Sequence, residues 1–324
     1  RVENRARSPL RIGLCCRRLM SAAAESIHTL ADLAAWSFSG PALAVIGRPV
    51  AHSLSPAIHN AALAVIARAQ THFADWRYFK FDIAPEELPQ ALALFHQRNF
   101  HGLNLTVPHK SLAVEHLVTC DAFVRAAGAA NTLTRTEAGW HGANTDGYGL
   151  ATALREELGA ELTGAHVILL GAGGAARGAA IECLRARCAS LWIGNRTAAT
   201  LDALLANLQV FAGESAVRGF DLANPPLGLP PGATVINATS LGLSTADAAP
   251  IDLKKLPAPA RVYDMIYRPP QTTLLRQAAE LGMPGANGLS MLIHQGARAL
   301  EIWTGATAPV PVMQAAARAA LFPA

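Results

Sequence analysis

The segment His166-Val-Ile-Leu-Leu-Gly171-Ala172-Gly173-Gly174-Ala175-Ala176-Arg177 constrains this chain more than any other. It sets a glycine turn directly after an apolar strand and directly before a helix. Gly171 permits the tight turn, Gly173 lets the backbone approach a pyrophosphate, and Ala176 allows the helix to pack close on the strand. The pyrophosphate then rests on the helix N-terminus. A glycine triplet alone also closes ordinary strand-helix junctions, so the reading depends on β-α-β pattern on both sides, which is present here.

The end of the next strand discriminates between dinucleotides. An NAD site usually carries Asp or Glu about 20 residues after the glycines, to hold the ribose 2′-hydroxyl. Here Asn195-Arg196-Thr197 stands 24 residues after Gly171, with no acid near. An acid would repel a 2′-phosphate, whereas the Arg196 guanidinium can grip it with charge-assisted bonds. The pattern therefore points to NADP, against the alternative of a solvent-facing arginine at a helix start.

The rest of the chain alternates short apolar runs with helical stretches, the signature of β-α-β units and mostly parallel sheet. Strands are expected at Ala42 to Gly47, Trp76 to Ile83, Gly102 to Val107, Asn131 to Arg135, His166 to Leu170, Leu191 to Gly194, Thr234 to Asn237 and Val262 to Met265. Helices are expected at Ser55 to Ala69, Pro85 to Gln97, Gly147 to Leu158, Gly174 to Arg187 and from Thr197, with helical periodicity again at Gly288 to Trp303 and Val312 to Leu321. The fold class expected is α/β with two domains and a cleft between them. An N-terminal α/β substrate domain (41–150), completed by C-terminal helices (287–324), faces a Rossmann NADP-binding domain (151–286). Residues 1–40 read as an N-terminal extension. The Pro- and Gly-rich stretch Asn224 to Gly232 reads as a surface loop.

Charge excludes some functions. The chain of 324 residues carries a net +4, but residues 1–19 hold six arginines against the single acid Glu3, so the remainder is near neutral. A nucleic-acid or anionic-membrane partner is therefore not indicated, and no apolar run reaches the roughly 18 residues of a membrane span. Met20 followed by Ser-Ala-Ala-Ala reads as the natural start, with an Arg-rich transit peptide as the alternative. The five scattered cysteines lack C-x-x-C spacing and the histidines lack H-E-x-x-H. No metal is expected, and reduced thiols suit a cytoplasmic enzyme acting on a small molecule as a monomer or homodimer.

Nine clusters occur in one order. They are Ile46-Gly-Arg-Pro-Val-Ala-His-Ser53-Leu-Ser55-Pro56, Gly102-Leu-Asn104-Leu-Thr106-Val-Pro-His-Lys110, Gly128-Ala-Ala-Asn131-Thr132, Asn144-Thr-Asp146-Gly147, Gly171-Ala-Gly-Gly174, Asn195-Arg-Thr, Asn237-Ala-Thr239-Ser240, Tyr263-Asp-Met265-Ile-Tyr267 and Gly288-Leu-Ser-Met291-Leu-Ile-His-Gln295. In order and spacing they resemble the shikimate dehydrogenase family over roughly residues 42 to 320. The resemblance implies NADP-dependent reduction of the ring ketone of 3-dehydroshikimate. It assigns the substrate carboxylate to Ser53 and Ser55, with Tyr267 nearby, and the polyol face to Asn104, Thr106, Asn131 and Gln295. It gives the chemistry to Lys110 and Asp146, which also contact substrate. Gly171, Ala172, Gly173, Gly174, Ala175, Asn195, Arg196, Thr197, Asn237, Thr239, Ser240, Met265, Gly288 and Met291 are implied on the cofactor side.

The chemistry agrees with the residue types. Ketone reduction needs a proton for the developing alkoxide, so an acid must stand within hydrogen-bond reach of the oxygen. Serines just before Pro56, at a helix start, suit an anion, although Ser55 can equally be read as a helix cap. His52, His59, His109 and His294 read as packing or capping residues. Three departures from the family stand out: Leu54 where Lys or Arg is common, Asn287 where Asp is common, and Thr200 where a second arginine often supports the 2′-phosphate. A quinate or dual quinate/shikimate dehydrogenase shares most of these motifs. Retention of Lys110 and Asp146 argues against a non-catalytic binding relative.

Overall fold

The structure, a computed structural model, describes residues 26–322. The reading of Met20 and the residues before it lies outside these.

The first half of the chain builds one seven-stranded mixed sheet. In chain order it holds β1 (Ile27–His28), α1 (Leu30–Ala34), β2 (Ala42–Gly47), α2 (Ser55–Ala69), β3 (Arg77–Asp82), α3 (Leu88–Gln97), β4 (Phe100–Leu105), α4 (His109–Leu112), β5 (Thr119–Cys120), α5 (Ala122–Ala127), β6 (Thr132–Thr136) and β7 (Gly139–Ala143). The strand order is β1-β3-β2-β4-β6-β7-β5. β1 to β4 run parallel, and β6 lies antiparallel to both β4 and β7. Residues 27–34, expected inside an extension, instead supply the edge strand β1 and the capped helix α1, whose Thr29 and Asp32 close a capping box.

The second sheet follows α6 (Asp146–Leu158). It comprises β8 (His166–Leu170), α7 (Gly174–Arg185), β9 (Ser190–Asn195), α8 (Ala198–Leu208), β10 (Ala216–Asp221), β11 (Thr234–Asn237), β12 (Arg261–Asp264), α9 (Thr273–Glu280) and β13 (Gly285–Asn287). All six strands are parallel in the order β10-β9-β8-β11-β12-β13. Numbered from β8, that is the doubly wound 3-2-1-4-5-6 order, whose reversal between β8 and β11 opens a crevice at the strands' carboxyl ends. Val167 to Leu170 are buried on both faces, which explains an apolar run without alternation.

Two helices complete the chain, α10 (Leu289–Thr304) and α11 (Val310–Leu321). They pack back on the first sheet: Ile293, Leu300, Trp303 and Met313 share one core cluster with Leu43, Val45, Ile58 and Tyr78. The Trp303 indole donates to the Leu133 carbonyl at 3.0 Å. A Cβ added at Gly102 would lie 2.2 Å from that indole nitrogen, so the helix docks where β4 has no side chain. α6 and α10 also meet closely, since a Cβ at Gly149 would lie 2.7 Å from the Met291 carbonyl oxygen. One of these helices carries Asp146 and the other Met291 and Gln295, so their contact sets the distance across the cleft.

Candidate active site

A cavity of ≈ 310 Å³ opens between the two sheets. Ser53, Ser55, Asn104, Thr106, Lys110, Asp146, Met265, Tyr267, Gly288, Met291 and Gln295 all line it. Most come from loops and helix starts at the carboxyl ends of strands, while Asn104 lies within β4 near its end and Gln295 within α10.

Lys110 sits in the short helix α4 and Asp146 is the first residue of α6, 36 residues apart in sequence. Lys110 Nζ donates to Asp146 Oδ2 at 2.7 Å. The other carboxylate oxygen, Oδ1, accepts from Asn131 Nδ2 at 2.9 Å. Asn131 is almost fully buried; its Nδ2 also reaches Thr145 Oγ1 at 3.0 Å and Gln295 Oε1 at 3.2 Å, while its Oδ1 accepts from the Thr145 N–H. Asp146 thus accepts from a donor on each oxygen, which fixes the orientation of its carboxyl group. An ammonium has three donors, so Lys110 keeps N–H groups for the cavity. Asn131 does not line the cavity; it fixes the carboxylate and Gln295 from behind.

Asn104 is held from below. Its Oδ1 accepts from the Tyr78 hydroxyl at 2.7 Å, and its Nδ2 donates to the Asn131 carbonyl at 3.0 Å. The helix α2 begins with Leu54 at the cap position, and no side chain caps its first turn. Ser55 is therefore not a cap. The Ser55 N–H donates to Ser53 Oγ at 3.3 Å. Burial pushes the Tyr267 phenol up from its ordinary value, with Arg268 opposing, so its hydroxyl stays a donor at neutral pH.

On the nucleotide side, Gly171 has φ +108°, and a Cβ there would lie 3.1 Å from the Ala238 carbonyl oxygen. Only glycine meets both demands. Gly173 and Gly174 are exposed with open space where a Cβ would stand, and α7 has no side-chain cap. Backbone N–H groups are thus left for a phosphate, and the residues present fit a dinucleotide. Arg196 and Thr200 are exposed beyond β9. Gly288 approaches Met265 so closely that a Cβ would fall 2.0 Å from its carbonyl oxygen.

Two residues expected on the cofactor have their side chains committed elsewhere. Asn237 is fully buried; its Nδ2 donates to Asp264 Oδ1 at 3.0 Å and its Oδ1 accepts from the Thr239 N–H and hydroxyl. It shapes the turn that carries Thr239 and Ser240. Asn195 Nδ2 donates to the Thr197 carbonyl at 2.9 Å and shapes the turn that carries Arg196.

The histidines divide. His59 is buried with its ring nitrogens 2.8 Å from the Ser55 carbonyl and 3.2 Å from the Gly296 carbonyl. His109 meets the Ile83 carbonyl at 2.8 Å, and His294 meets Glu156 at 2.9 Å across α6 and α10. These three support packing. His52 instead is exposed and lines both the main cavity and a neighbouring one of ≈ 380 Å³. Reading the sequence missed Tyr78 and Thr145, which orient Asn104 and Asn131. Tyr78 gave a signal in the alternation Arg77-Tyr-Phe-Lys-Phe-Asp82, where every second residue shares a face.

A doubly wound parallel sheet facing a mixed sheet across a cleft with a lysine-carboxylate pair defines an oxidoreductase of the two-domain dinucleotide type. The descriptions "Shikimate dehydrogenase substrate binding domain" and "Shikimate 5'-dehydrogenase C-terminal domain" match residues 45–133 and 288–318. A shikimate dehydrogenase (NADP(+)) of Symbiobacterium thermophilum is 40% identical over 289 residues, covering 87% of this chain and 95% of its own. Among solved structures, the Thermus thermophilus shikimate 5-dehydrogenase in complex with NADP(H) and shikimate is 36% identical with a TM-score of 0.75, over 86% of this chain and 99% of that one. A 5-ketofructose reductase of Gluconobacter is 30% identical with a TM-score of 0.78, over 88% and 100%. The chain belongs to the shikimate dehydrogenase family. Among the described residues no helix is long and apolar enough to cross a membrane.

Proposed function

We propose that this enzyme catalyses the NADP-dependent, reversible reduction of 3-dehydroshikimate to shikimate, a step towards chorismate and the aromatic amino acids. The observation that carries the reading is the Lys110–Asp146 pair at 2.7 Å in a cavity that the paired serines Ser53 and Ser55 and the residues Met265, Gly288 and Met291 also line. Gly171 to Ala175, Arg196 and Thr197 would hold the dinucleotide, which as NADPH would supply the hydride for ketone reduction and as NADP would accept it in the reverse direction.

Lys110 gives a proton to the ketone oxygen as the alcohol forms and takes it back in the reverse direction. Asp146 orients that ammonium and accepts a ring hydroxyl. Asn104, Thr106, Asn131 and Gln295 recognise or support the polyol face, and Ser53, Ser55 and Tyr267 donate to the carboxylate. Asn237 and Asn195 act through the turns they shape. The 5-ketofructose reductase shows that this fold serves other ketones, so substrate choice rests on the serine end and the asparagine shelf. Buried free thiols at Cys183 and Cys188 support a cytoplasmic setting, as a monomer or homodimer.

The test is initial-rate turnover, followed through NADPH absorbance, with shikimate or quinate and NADP or NAD. Shikimate with NADP should be the best pair. Lys110→Ala should lose about 10²-fold or more in kcat, the usual size of an acid-base contribution, while substrate still binds. Near-wild-type turnover in that variant would remove Lys110 from the mechanism.

A further inference from the structure

The strand β3 places a second lysine beside the cavity, one strand out from the residues that line it. Lys80 pairs in register with Val45, and Val45 pairs with Asn104. Paired residues of adjacent parallel strands point to the same face, and both Val45 and Asn104 line the cavity. Lys80 therefore rises from the same floor, one strand further out. It is 8% exposed, because the loop at 48–53 folds over it, and its Nζ donates to the Ala51 carbonyl at 3.2 Å.

The charges around it matter. Lys80 forms no ion pair among the described residues. Asp82, the next residue on its face of the strand, pairs with Arg48 at 3.5 Å, and exposed His52 lies on the covering loop. A buried ammonium whose only bond among the described residues is to one neutral carbonyl leaves its positive field uncompensated, and such a charge is stabilised by an anion placed nearby. Ala51 stands two residues before Ser53, and the Ser53 N–H donates to the Val50 carbonyl at 3.0 Å. The lysine thus lies beneath the loop that carries the serines.

We infer that Lys80 is a specificity-determining residue, its buried positive charge selecting a carboxylate on the substrate through the Pro49–Ser53 loop without touching it. The inference rests on the reading that Ser53 and Ser55 receive that carboxylate. A unit charge one loop away, in a medium of effective dielectric about 20, is worth on the order of tenfold in affinity for an anion.

The experiment compares shikimate with its methyl ester, which keeps the ring and hydroxyls and lacks the charge. Lys80→Met, close to isosteric, should raise KM for shikimate about tenfold with a much smaller change in kcat, and should leave KM for the ester near its wild-type value. Lys80→Arg should keep the acid-over-ester preference. A Lys80→Met enzyme with unchanged preference, or with both KM values raised alike, would overturn the inference, the second result marking a merely structural lysine. If Lys80→Met does not fold, Lys80→Gln carries the same comparison. Failure of the underlying reading looks different: wild type itself would then show no preference for the acid over the ester.

Discussion

Replacing Asp146 with Asn changes one atom and tests the whole site. In the wild type both carboxylate oxygens face donors, Lys110 Nζ at 2.7 Å and Asn131 Nδ2 at 2.9 Å. An amide has only one acceptor oxygen, so whichever way it turns, an NH₂ meets either the ammonium or the Asn131 amide. One bond is lost and one donor is left unpaired. If the ammonium loses its partner, a charge-assisted bond of about 1.5–3 kcal/mol goes with it, equivalent to about 10- to 150-fold. Misplacing the proton donor adds to this, since general acid catalysis contributes about 10² to 10⁴-fold. We expect kcat for shikimate oxidation to fall at least about 10²-fold, and KM for shikimate to rise as the ring-hydroxyl acceptor weakens. Stability should change little, because both side chains are partly exposed and such pairs contribute about 0–1 kcal/mol. The assays are steady-state rates in both directions and a melting curve. Wild-type kcat in a folded variant would refute the coupling of Asp146 to Lys110, and unchanged substrate affinity would remove its second role.

Arg196→Ala should raise the NADP Michaelis constant by about 10- to 150-fold and leave NAD use nearly untouched, on the proposal that one guanidinium carries the 2′-phosphate. Thr200→Arg, one turn along the exposed start of α8, should sharpen the preference; equal weakening of both cofactors by Arg196→Ala would show that the residue supports the fold or the adenine instead. His59 gives a pH prediction. Burial lowers its pKa to about 4, against the opposing Ser55 and Gly296 carbonyls, whereas the unfolded chain titrates near the model-peptide value of about 6.5. Between these values the unfolded state binds the extra proton, so this contribution is fully present above pH about 6.5 and is lost down to about 4, at up to ~1.4 kcal/mol per pH unit. Melting temperature should therefore drop across that window more steeply in the wild type than in His59→Gln, and parallel curves would show that other groups dominate.

Much of the nucleotide half was legible because its signals are local. Val167 to Leu170, Gly171 and the alanine-rich start of α7 declare a strand, a tight turn and a close-packed helix within a dozen residues, and each requirement is met by residue type alone. Lys110 and Asp146 were legible as residues of chemistry, but their meeting was not: Asn131, Thr145 and Gln295 bring them together from four separate stretches of chain. Weakly patterned edges also escaped. β1 is two residues long, and most of β10 is exposed or half-buried, so neither carries an apolar rhythm to read. The antiparallel turn of β6 and β7 depends on pairing with β4, which no local pattern states. Sequence by itself determined the strongly patterned elements, the glycine turn and the residue types, since these follow from side-chain periodicity and backbone sterics. Which asparagines face the cleft and which brace its turns, and that Lys80 between Phe79 and Phe81 is buried, only the tertiary structure decided. Burial is a property of what covers a residue, and the cover comes from segments far away in the chain.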